Sequence, residues 1–207
     1  MSSERAPGIS LFHSRNRVIA KTFLFLRRFH PTRERVTLGE RNDHVEREHV
    51  ARYEFASPFC AGKSVADIAC GTGYGSEILR RSAKSVQGFD KEDLCGNRLI
   101  DLEKESWSER FDVVVSFETI EHLLNPEFFL DNVRRTASQL IVSTPVGEFL
   151  GYNPHHKQVW TFSEFKDLMA RYFQCTYYFQ RGTEILDHEA GPVRFVIAVA
   201  TPKIETA

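Results

Sequence analysis

Three glycines and an acid lie close together early in the chain, after a short apolar run. The segment Val65 to Gly75 passes through Asp67 and then carries glycine at positions 71, 73 and 75. Glycine has no Cβ, so the main chain can turn sharply and approach a ligand closely, and a helix from Ser76 would direct its first amides at that ligand. The spacing G-x-G-x-G differs from the G-x-G-x-x-G of dinucleotide sites. The segment predicts a turn that holds a nucleoside ligand.

Asp67 indicates which charge this ligand carries. A carboxylate at the mouth of the turn would repel a pyrophosphate, whereas it suits an ammonium or sulfonium group. This favours S-adenosylmethionine (SAM) over a nicotinamide dinucleotide. Further along, Ser85 to Asp90 reads as a second strand that ends in an acid, the position at which alternating α/β folds hold ribose hydroxyls.

A second set of reactive side chains follows the apolar run 111–117. Glu118, Glu121 and His122 come directly after this run, at positions i, i+3 and i+4. If the segment is helical, the three side chains share one face of the helix. Because an imidazole titrates near neutrality, His122 is the leading candidate for a general base that activates an alcohol.

Two more histidines stand in a loop between a predicted strand and a predicted helix. His155 and His156 follow Tyr152 in this loop, after the apolar strand that ends at Thr144. Loops beyond the carboxyl ends of parallel strands form the binding crevice in such sheets. We therefore expect Tyr152, His155 and His156 to line an acceptor site, with His156 pointing inward.

As an ordered set, these features resemble the class I SAM-dependent methyltransferases, in particular the small-molecule and sugar O-methyltransferase branch with an E-x-x-E-H-L sequence after the fourth strand. The resemblance covers roughly residues 48–201. It implies SAM as cofactor, with Asp67 and the glycine turn at the methionine part, Asp90 at the ribose, and Asp101 with the Leu102 amide at the adenine. The cofactor-binding residues that it implies are Asp67, Ala69, Gly71, Gly73, Asp90, Lys91, Asp101, Leu102 and Phe117.

The resemblance also assigns roles at the reaction centre. It implies His122, His156 and Glu118 as catalytic residues, and Tyr152, His155 and Glu121 as acceptor-binding residues. The letters E-x-x-E-H with a later histidine also resemble the metal site of the small-RNA 3′-terminal ribose methyltransferases. There the ligands of Mg²⁺ or Mn²⁺ would be Glu118, Glu121, His122 and either His155 or His156. Methyltransferases that use no metal carry the same E-x-x-E-H sequence. We therefore first predict an active site without a metal ion.

Three functions follow from this resemblance. The favoured one is SAM-dependent O-methylation of a sugar hydroxyl of a glycan or glycoconjugate, or of another small molecule, because Tyr152, Trp160 and Phe162 could stack on sugar rings. The second is a metal-dependent RNA 3′-terminal 2′-O-methyltransferase, which near-zero net charge opposes. The third is a SAM-binding regulatory protein without catalysis, which the complete set of polar pocket residues opposes.

The elements that must position these residues alternate between strand and helix. This alternation predicts an α/β fold: a doubly wound, mostly parallel, seven-stranded Rossmann-like sheet with a C-terminal antiparallel hairpin and an N-terminal helical arm. Only seven residues, Lys91 to Asn97, separate the second and third strands, too few for a crossover helix. The predicted strands are 64–69, 85–90, 98–102, 111–117, 140–144, 174–180 and 193–201, and the predicted helices are 40–56, 76–81, 127–137 and 162–172.

Composition limits the domain count and the partners. The 207 residues fit one domain, residues 40–207, after an arm of residues 1–39. The arm is basic and amphipathic, with eight Lys or Arg and one acid between residues 5 and 35. It could contact an anionic membrane, hold a polyanionic or glycolipid substrate, or act as a lid over the active site, and a helix packed on the domain is the alternative. No apolar run is long enough for a transmembrane segment. A net charge of −1 favours a small-molecule or glycan acceptor over nucleic acid, and four cysteines without metal spacing fit the cytoplasm.

Overall fold

Eight strands form one continuous sheet in the computed structural model, which describes residues 44–148, 153–191 and 193–203. The strands follow the order β3-β2-β1-β4-β5-β8-β6-β7. Strands β1 to β5 pair in parallel, whereas β8 runs antiparallel to both β5 and β6. The strands are β1 (Ser64–Ile68), β2 (Ser85–Asp90), β3 (Arg98–Leu99), β4 (Phe111–Phe117), β5 (Ala137–Pro145), β6 (Phe173–Arg181), β7 (Glu184–Leu186) and β8 (Phe195–Pro202).

The sheet has one strand more than the seven predicted. The extra strand is β7, which pairs antiparallel with the end of β6 and forms the edge of the sheet. Three residues are too few to show an alternating pattern, so this strand could not be predicted from the sequence. The predicted antiparallel pairing of the last two long strands is present, but β8 lies inside the sheet, between β5 and β6.

In the described part of the chain, four helices and one 3₁₀ turn precede or connect the strands. Asn125 begins α3 by accepting from the Phe128 amide at 3.2 Å, with Pro126 at the first helical position. Thr161 and Glu164 cap α4 reciprocally. The helices are α1 (His44–Cys60), α2 (Tyr74–Arg80), α3 (Pro126–Thr136) and α4 (Phe162–Ala170), and the 3₁₀ turn is Ile120–His122. Among the described residues, no helix is both long and apolar enough to cross a membrane.

The helices cover both faces of the sheet, as the doubly wound prediction requires. Successive residues of a strand point to opposite faces, and Val113 and Val114 of β4 accordingly belong to different core clusters. One cluster joins the sheet to α3 and α4, for example through Phe129 and Phe165. The other joins it to α1 and α2 through Tyr53 and its neighbours. The α/β Rossmann-like prediction is confirmed.

The N-terminal arm, residues 1–39, and the start of the predicted first helix, residues 40–43, lie outside the described residues. The predicted helix is described from His44 and continues to Cys60, four residues beyond its predicted end. No helix forms between Lys91 and Asn97, in agreement with the short connection expected there.

Candidate active site

A cavity of about 720 Å³ opens at the carboxyl ends of the parallel strands. This is the edge at which open α/β sheets bind ligands. The cavity brings together most of the residues that the sequence singled out. The lining includes the predicted cofactor residues Ala69, Gly71, Asp90, Lys91, Asp101, Leu102 and Phe117, and the predicted reaction-centre residues Glu118, Glu121, His122, His155 and His156.

The two glycines of the turn that were predicted to bind cofactor have different surroundings. Gly71 has a φ of +55°, and a Cβ there would meet no atom within 4 Å, so the turn leaves open space above its main chain. Gly73 has a φ of +82° and caps α2, and a Cβ there would lie 2.7 Å from the Cys95 sulfur. Gly73 is absent from the cavity lining. Gly73 therefore contributes to the packing against the loop that contains Cys95.

Asp67 lies beneath the glycine turn and does not line the cavity. Its carboxylate is fully buried and accepts hydrogen bonds from the Tyr53 hydroxyl at 3.1 Å and the Ser76 hydroxyl at 2.6 Å. Burial raises the pKa of Asp67 to about 6. In the described geometry this carboxylate supports the turn from below, and its contact with the methionine part of a cofactor stays a prediction.

Asp90 joins the end of β2 to the glycine turn. Its Oδ2 accepts from the Gly71 amide at 2.9 Å, and its Oδ1 accepts from the Glu92 amide at 3.2 Å. Each carboxylate oxygen can accept more than one hydrogen bond, and Asp90 borders the cavity. The position therefore suits a ribose.

Asp101 is held differently at the predicted adenine end. Its carboxylate accepts from the Glu103 amide at 3.0 Å and from the Lys104 ammonium at 2.8 Å. The Lys104 side chain and the Glu103 amide lower the pKa of Asp101. Since its side chain is 41% exposed, the ion pair with Lys104 is a surface interaction at the rim of the cavity.

Two residues without glycine's freedom adopt left-handed backbone conformations at the ends of neighbouring strands. Ala69, just after β1, has a φ of +59°, and Glu118, just after β4, has a φ of +51°. Such conformations cost on the order of 1–3 kcal/mol and concentrate at functional sites. The helix considered for Glu118 to His122 is therefore wrong at its start, because only Ile120–His122 is helical, as a 3₁₀ turn.

The two glutamates after β4 contact hydroxyl groups of β5. The Ser143 hydroxyl donates to Glu118 Oε1 at 2.8 Å, and the Thr144 hydroxyl donates to Glu121 Oε2 at 3.2 Å. Burial raises the pKa of Glu118, and burial together with the nearby Glu118 charge raises the pKa of Glu121 well above its usual value. Glu121 Oε1 has no hydrogen-bond partner among the described residues.

Both predicted catalytic histidines are oriented through Nδ1. His122 Nδ1 lies 3.2 Å from the carbonyl oxygen of His155, and His156 Nδ1 lies 2.8 Å from Glu148 Oε2. A carbonyl or carboxylate oxygen only accepts, so Nδ1 carries the proton in each ring and Nε2 is the basic nitrogen. His156 Nε2 accepts from the Asn153 amide at 2.8 Å. The ring centres lie 4.9 Å apart.

Three of the four predicted metal ligands converge. Glu121, His122 and His156 each offer a ligand atom, and these atoms lie within 4.8 Å of one another. Glu118 is not in this group. Its strained backbone and its hydrogen bond with Ser143 hold it at the side of the cluster.

Sequence reasoning missed several residues of the cavity. Glu148 and Asn153 hold His156, and Arg52 and Arg194 border the cavity. Arg52 and Arg194 form no local motif, because α1 and the start of β8 meet only through the fold. Glu148 and Asn153 lie eight and three residues before His156 in the sequence. Gly75, which belongs to the glycine pattern, packs its main chain against the Tyr53 ring, where a Cβ would lie 2.0 Å from Cζ.

The aromatic support for a sugar acceptor changes in the structure. Trp160 packs against Phe165 with ring centres 5.9 Å apart, and Phe162 packs edge-on against Tyr177 at 5.3 Å. Neither Trp160 nor Phe162 lines the cavity, so the cavity gives no support to the stacking of a sugar on them. The third predicted aromatic residue, Tyr152, lies outside the described residues.

Comparison with known proteins gives a family match over most of the cavity-forming segment. Residues 41–182 match the family described as methyltransferase domain. The chain is 28% identical over 144 residues to a probable S-adenosylmethionine-dependent methyltransferase of Mycolicibacterium smegmatis, covering 59% of this chain and 56% of the relative. The chain thus spans about half the length of the curated relatives it matches.

Two solved structures share the fold. A TehB-like SAM-dependent methyltransferase from Corynebacterium glutamicum has a TM-score of 0.59 and 20% identity, over 92% of this chain and 98% of that one. A Burkholderia thailandensis 1,6-didemethyltoxoflavin-N1-methyltransferase, solved with S-adenosylhomocysteine, has a TM-score of 0.60 and 14% identity, over 97% of this chain and 94% of that one. At these identities the likeness shows the fold.

Proposed function

The chain belongs to the methyltransferase domain family and has SAM as its cofactor, and on this premise we propose that it methylates a hydroxyl group of a small molecule. A sugar hydroxyl of a glycan or glycoconjugate is the favoured acceptor. The observation that carries the proposal is His122, whose basic Nε2 follows from the hydrogen bond at Nδ1 and which borders the same cavity as the glycine turn.

The residues present fit SAM. A Cβ at Gly71 would meet no atom within 4 Å. The glycine keeps this space open, and the space would admit the methionine part of the cofactor. Asp90 would hold the ribose and the Leu102 amide the adenine, with the stem of Lys91 beside it. When bound, SAM supplies a methyl group on a sulfonium, a good leaving group, so that the chain chiefly has to align donor and acceptor.

A hydroxyl acceptor also needs a base, and His122 supplies it. Its Nδ1–H is held by the His155 carbonyl, so its Nε2 can take the proton of the acceptor hydroxyl as the new bond forms. His156, with Glu148 at its own Nδ1, lies beside it, with the ring centres 4.9 Å apart. An amine acceptor would place less demand on such a base.

The cavity favours a small polar acceptor. A volume of about 720 Å³ must take both the cofactor and the reacting part of the acceptor, and this range is typical of small-molecule sites. The remaining lining is rich in hydrogen-bonding groups, as a hydroxylated ring requires. These groups include His49, Arg52, Asn153 and Lys157.

The test is transfer of labelled methyl from SAM to glycan and small-molecule extracts, with and without EDTA. We expect transfer that EDTA does not affect. His122→Ala should lower the rate by roughly 10²-fold or more without changing affinity for S-adenosylhomocysteine. His188→Ala is the matched control, since His188 is exposed and also hydrogen-bonded to a carboxylate. An unchanged rate in His122→Ala would remove it as the base, and cofactor binding without transfer to any extract would favour a regulatory protein.

A second candidate is a metal-dependent RNA 3′-terminal 2′-O-methyltransferase. The convergence of Glu121, His122 and His156 favours it, as does the buried Glu121 Oε1, which accepts no hydrogen bond from the described residues and lies 4.0 Å from His122 Nε2. A divalent ion would offset the cost of ionising that carboxylate. The Nδ1 hydrogen bonds of both histidines are the kind that orients metal ligands. Binding through His156 Nε2 would have to displace Asn153.

Mn²⁺ titration followed by electron paramagnetic resonance tests this second candidate. We expect micromolar binding that Glu121→Gln abolishes and that Glu127→Gln, a surface control, retains. Labelled transfer to RNA 3′ ends should then stop with EDTA and return with Mn²⁺. Absence of Mn²⁺ binding by the intact chain would exclude the metal-dependent candidate and leave the first proposal in place.

A further inference from the structure

Two arginines border the cavity beside a single aromatic ring. Arg52 of α1 is fully buried, and its Cζ lies 4.6 Å from the centre of the Phe195 ring. Arg194, directly before β8, has its Cζ 5.1 Å from the same centre. All three residues line the cavity. Two guanidinium groups on one ring concentrate positive charge on this wall.

The charge of Arg52 is only partly compensated. Its Nη1 donates to the amide oxygen Oε1 of Gln180 at 2.6 Å. Its Nε has no hydrogen-bond partner among the described residues. A neutral amide and an aromatic ring offset only part of the cost of taking a guanidinium out of water. A bound anion would complement this cation.

Among the described residues, one carboxylate lies within 4.0 Å of either guanidinium group. Glu48 is the nearby carboxylate, and its Oε2 lies 3.7 Å from Arg194 Nη1. Glu118 and Glu121 also border the cavity, where the Ser143 and Thr144 hydroxyls donate to them. Burial and the Arg52 charge lower the pKa of His49, which keeps this ring neutral.

Arg194 and Phe195 lie on the acceptor side of the sheet. Arg52 lies on α1, next to Tyr53, which contacts Asp67 beneath the glycine turn. Phe195 pairs with Pro145 at the end of β5, and the Arg194 carbonyl accepts from the Val146 amide at 3.1 Å. The glycine turn follows β1, which is three strands away from β8 in the sheet. At the usual strand spacing this is roughly 14 Å. The cofactor residues after β1 and β2 therefore lie on the opposite side of the reaction centre after β4.

We propose that Arg52 and Arg194 form a subsite for an anionic group of the acceptor, a carboxylate or a phosphate. This inference rests on the proposed function, because it names the acceptor class of the same cavity: a hydroxyl compound that also carries one of these groups. A guanidinium binds either group through paired hydrogen bonds. Anchoring the anion at β8 would hold the hydroxyl toward His122.

Inorganic phosphate is the probe. Titration into the full chain saturated with S-adenosylhomocysteine, followed by ¹⁵N NMR of the arginine side chains, should shift the Arg52 and Arg194 signals, while chloride at equal ionic strength should not. Arg194→Gln should weaken phosphate binding roughly tenfold. Arg171→Gln is the matched control, since Arg171 is 56% exposed and pairs with one glutamate, as Arg194 is 54% exposed and lies near Glu48. It should bind phosphate as the wild type does.

A second comparison separates the acceptor from the cofactor as the source of the anion. The affinities for S-adenosylhomocysteine and for 5′-methylthioadenosine, which lacks the amino-acid carboxylate, are measured in the wild type and in Arg52→Lys. We expect the substitution to change both affinities by the same factor. A loss confined to S-adenosylhomocysteine would assign Arg52 to the cofactor and overturn the proposal, as would equal phosphate affinity in Arg194→Gln and the control. The phosphate titration is repeated without S-adenosylhomocysteine. If the chain does not bind S-adenosylhomocysteine, this result counts against the proposed function, and the phosphate titration without cofactor still tests the anion subsite.

Discussion

At the scale of single residues, Asp67 shows how burial acts on stability. Its folded-state pKa of about 6 exceeds the value of about 4 in an unfolded chain. The folded protein therefore binds the proton more tightly. The stability that this provides is fully present below about pH 4 and is lost as the pH rises through about 6. A difference of roughly two pKa units corresponds to about 3 kcal/mol.

Asp67→Asn should therefore stabilise the cofactor-free protein at neutral pH, because asparagine cannot ionise. We expect its free energy of unfolding in urea to exceed that of the wild type by about 1–3 kcal/mol at pH 7, less any loss from rearranging the Tyr53 and Ser76 hydroxyls. The gap should close near pH 4. Asp187→Asn, at an exposed site, is the control. Equal stability of wild type and variant across this range would contradict the raised pKa.

Asp90 and Asp101 should differ in their effect on cofactor affinity. Asp90 accepts two main-chain amides, so Asp90→Asn would set an amide donor against one of them and disturb the turn at Gly71. We expect affinity for S-adenosylhomocysteine to fall by roughly 10- to 100-fold in calorimetry. Asp101→Asn should cost less than about threefold, because an exposed ion pair contributes little. A larger loss for Asp101→Asn would reverse the two roles.

At the scale of elements, α1 and α2 meet through Gly75 and Tyr53. A Cβ at Gly75 would lie 2.0 Å from Tyr53 Cζ, so Gly75→Ala should destabilise the fold by about 1–3 kcal/mol or more. Tyr53→Ala should cost about 3–5 kcal/mol through the cavity it leaves. In the double variant, the loss of unfolding free energy should be smaller than the sum of the two single losses by at least about 1 kcal/mol. The new methyl group of residue 75 would occupy the space that the Tyr53 ring leaves. Additive losses in chemical denaturation would show that the two residues do not limit each other.

The strands and the loops that follow them show which features could be predicted from the sequence. The bounds of β2 and β4 were predicted residue for residue, because β2 ends at an acid and β4 is a largely apolar run that ends before one. β7 was missed because three residues show no period. The side-chain direction of Glu118 was missed because a φ of +51° cannot be inferred from residue type. Glu148 and Arg194 were missed because only the packing of loops and strands brings them to the cavity.

At the scale of the whole molecule, the described core and cavity are built from residues within 44–203. The buried apolar residues of the core run from Tyr53 to Ala200, and the cavity is lined from Val45 to Phe195. We therefore expect a chain of residues 40–207 to fold on its own, with affinity for S-adenosylhomocysteine within about twofold of the full chain, since the affinity depends on contacts made inside this segment.

Removal of residues 1–39 should instead abolish contact with membranes. The eight Lys or Arg between residues 5 and 35 would each contribute up to about 1 kcal/mol near an anionic surface, so the full chain should sediment with vesicles of phosphatidylcholine and phosphatidylserine at low salt. Binding should weaken as salt screens the charges, and vesicles of phosphatidylcholine alone are the control. The chain of residues 40–207 should stay in the supernatant. Equal sedimentation of both chains would place membrane contact on the methyltransferase domain and leave the basic arm without that role.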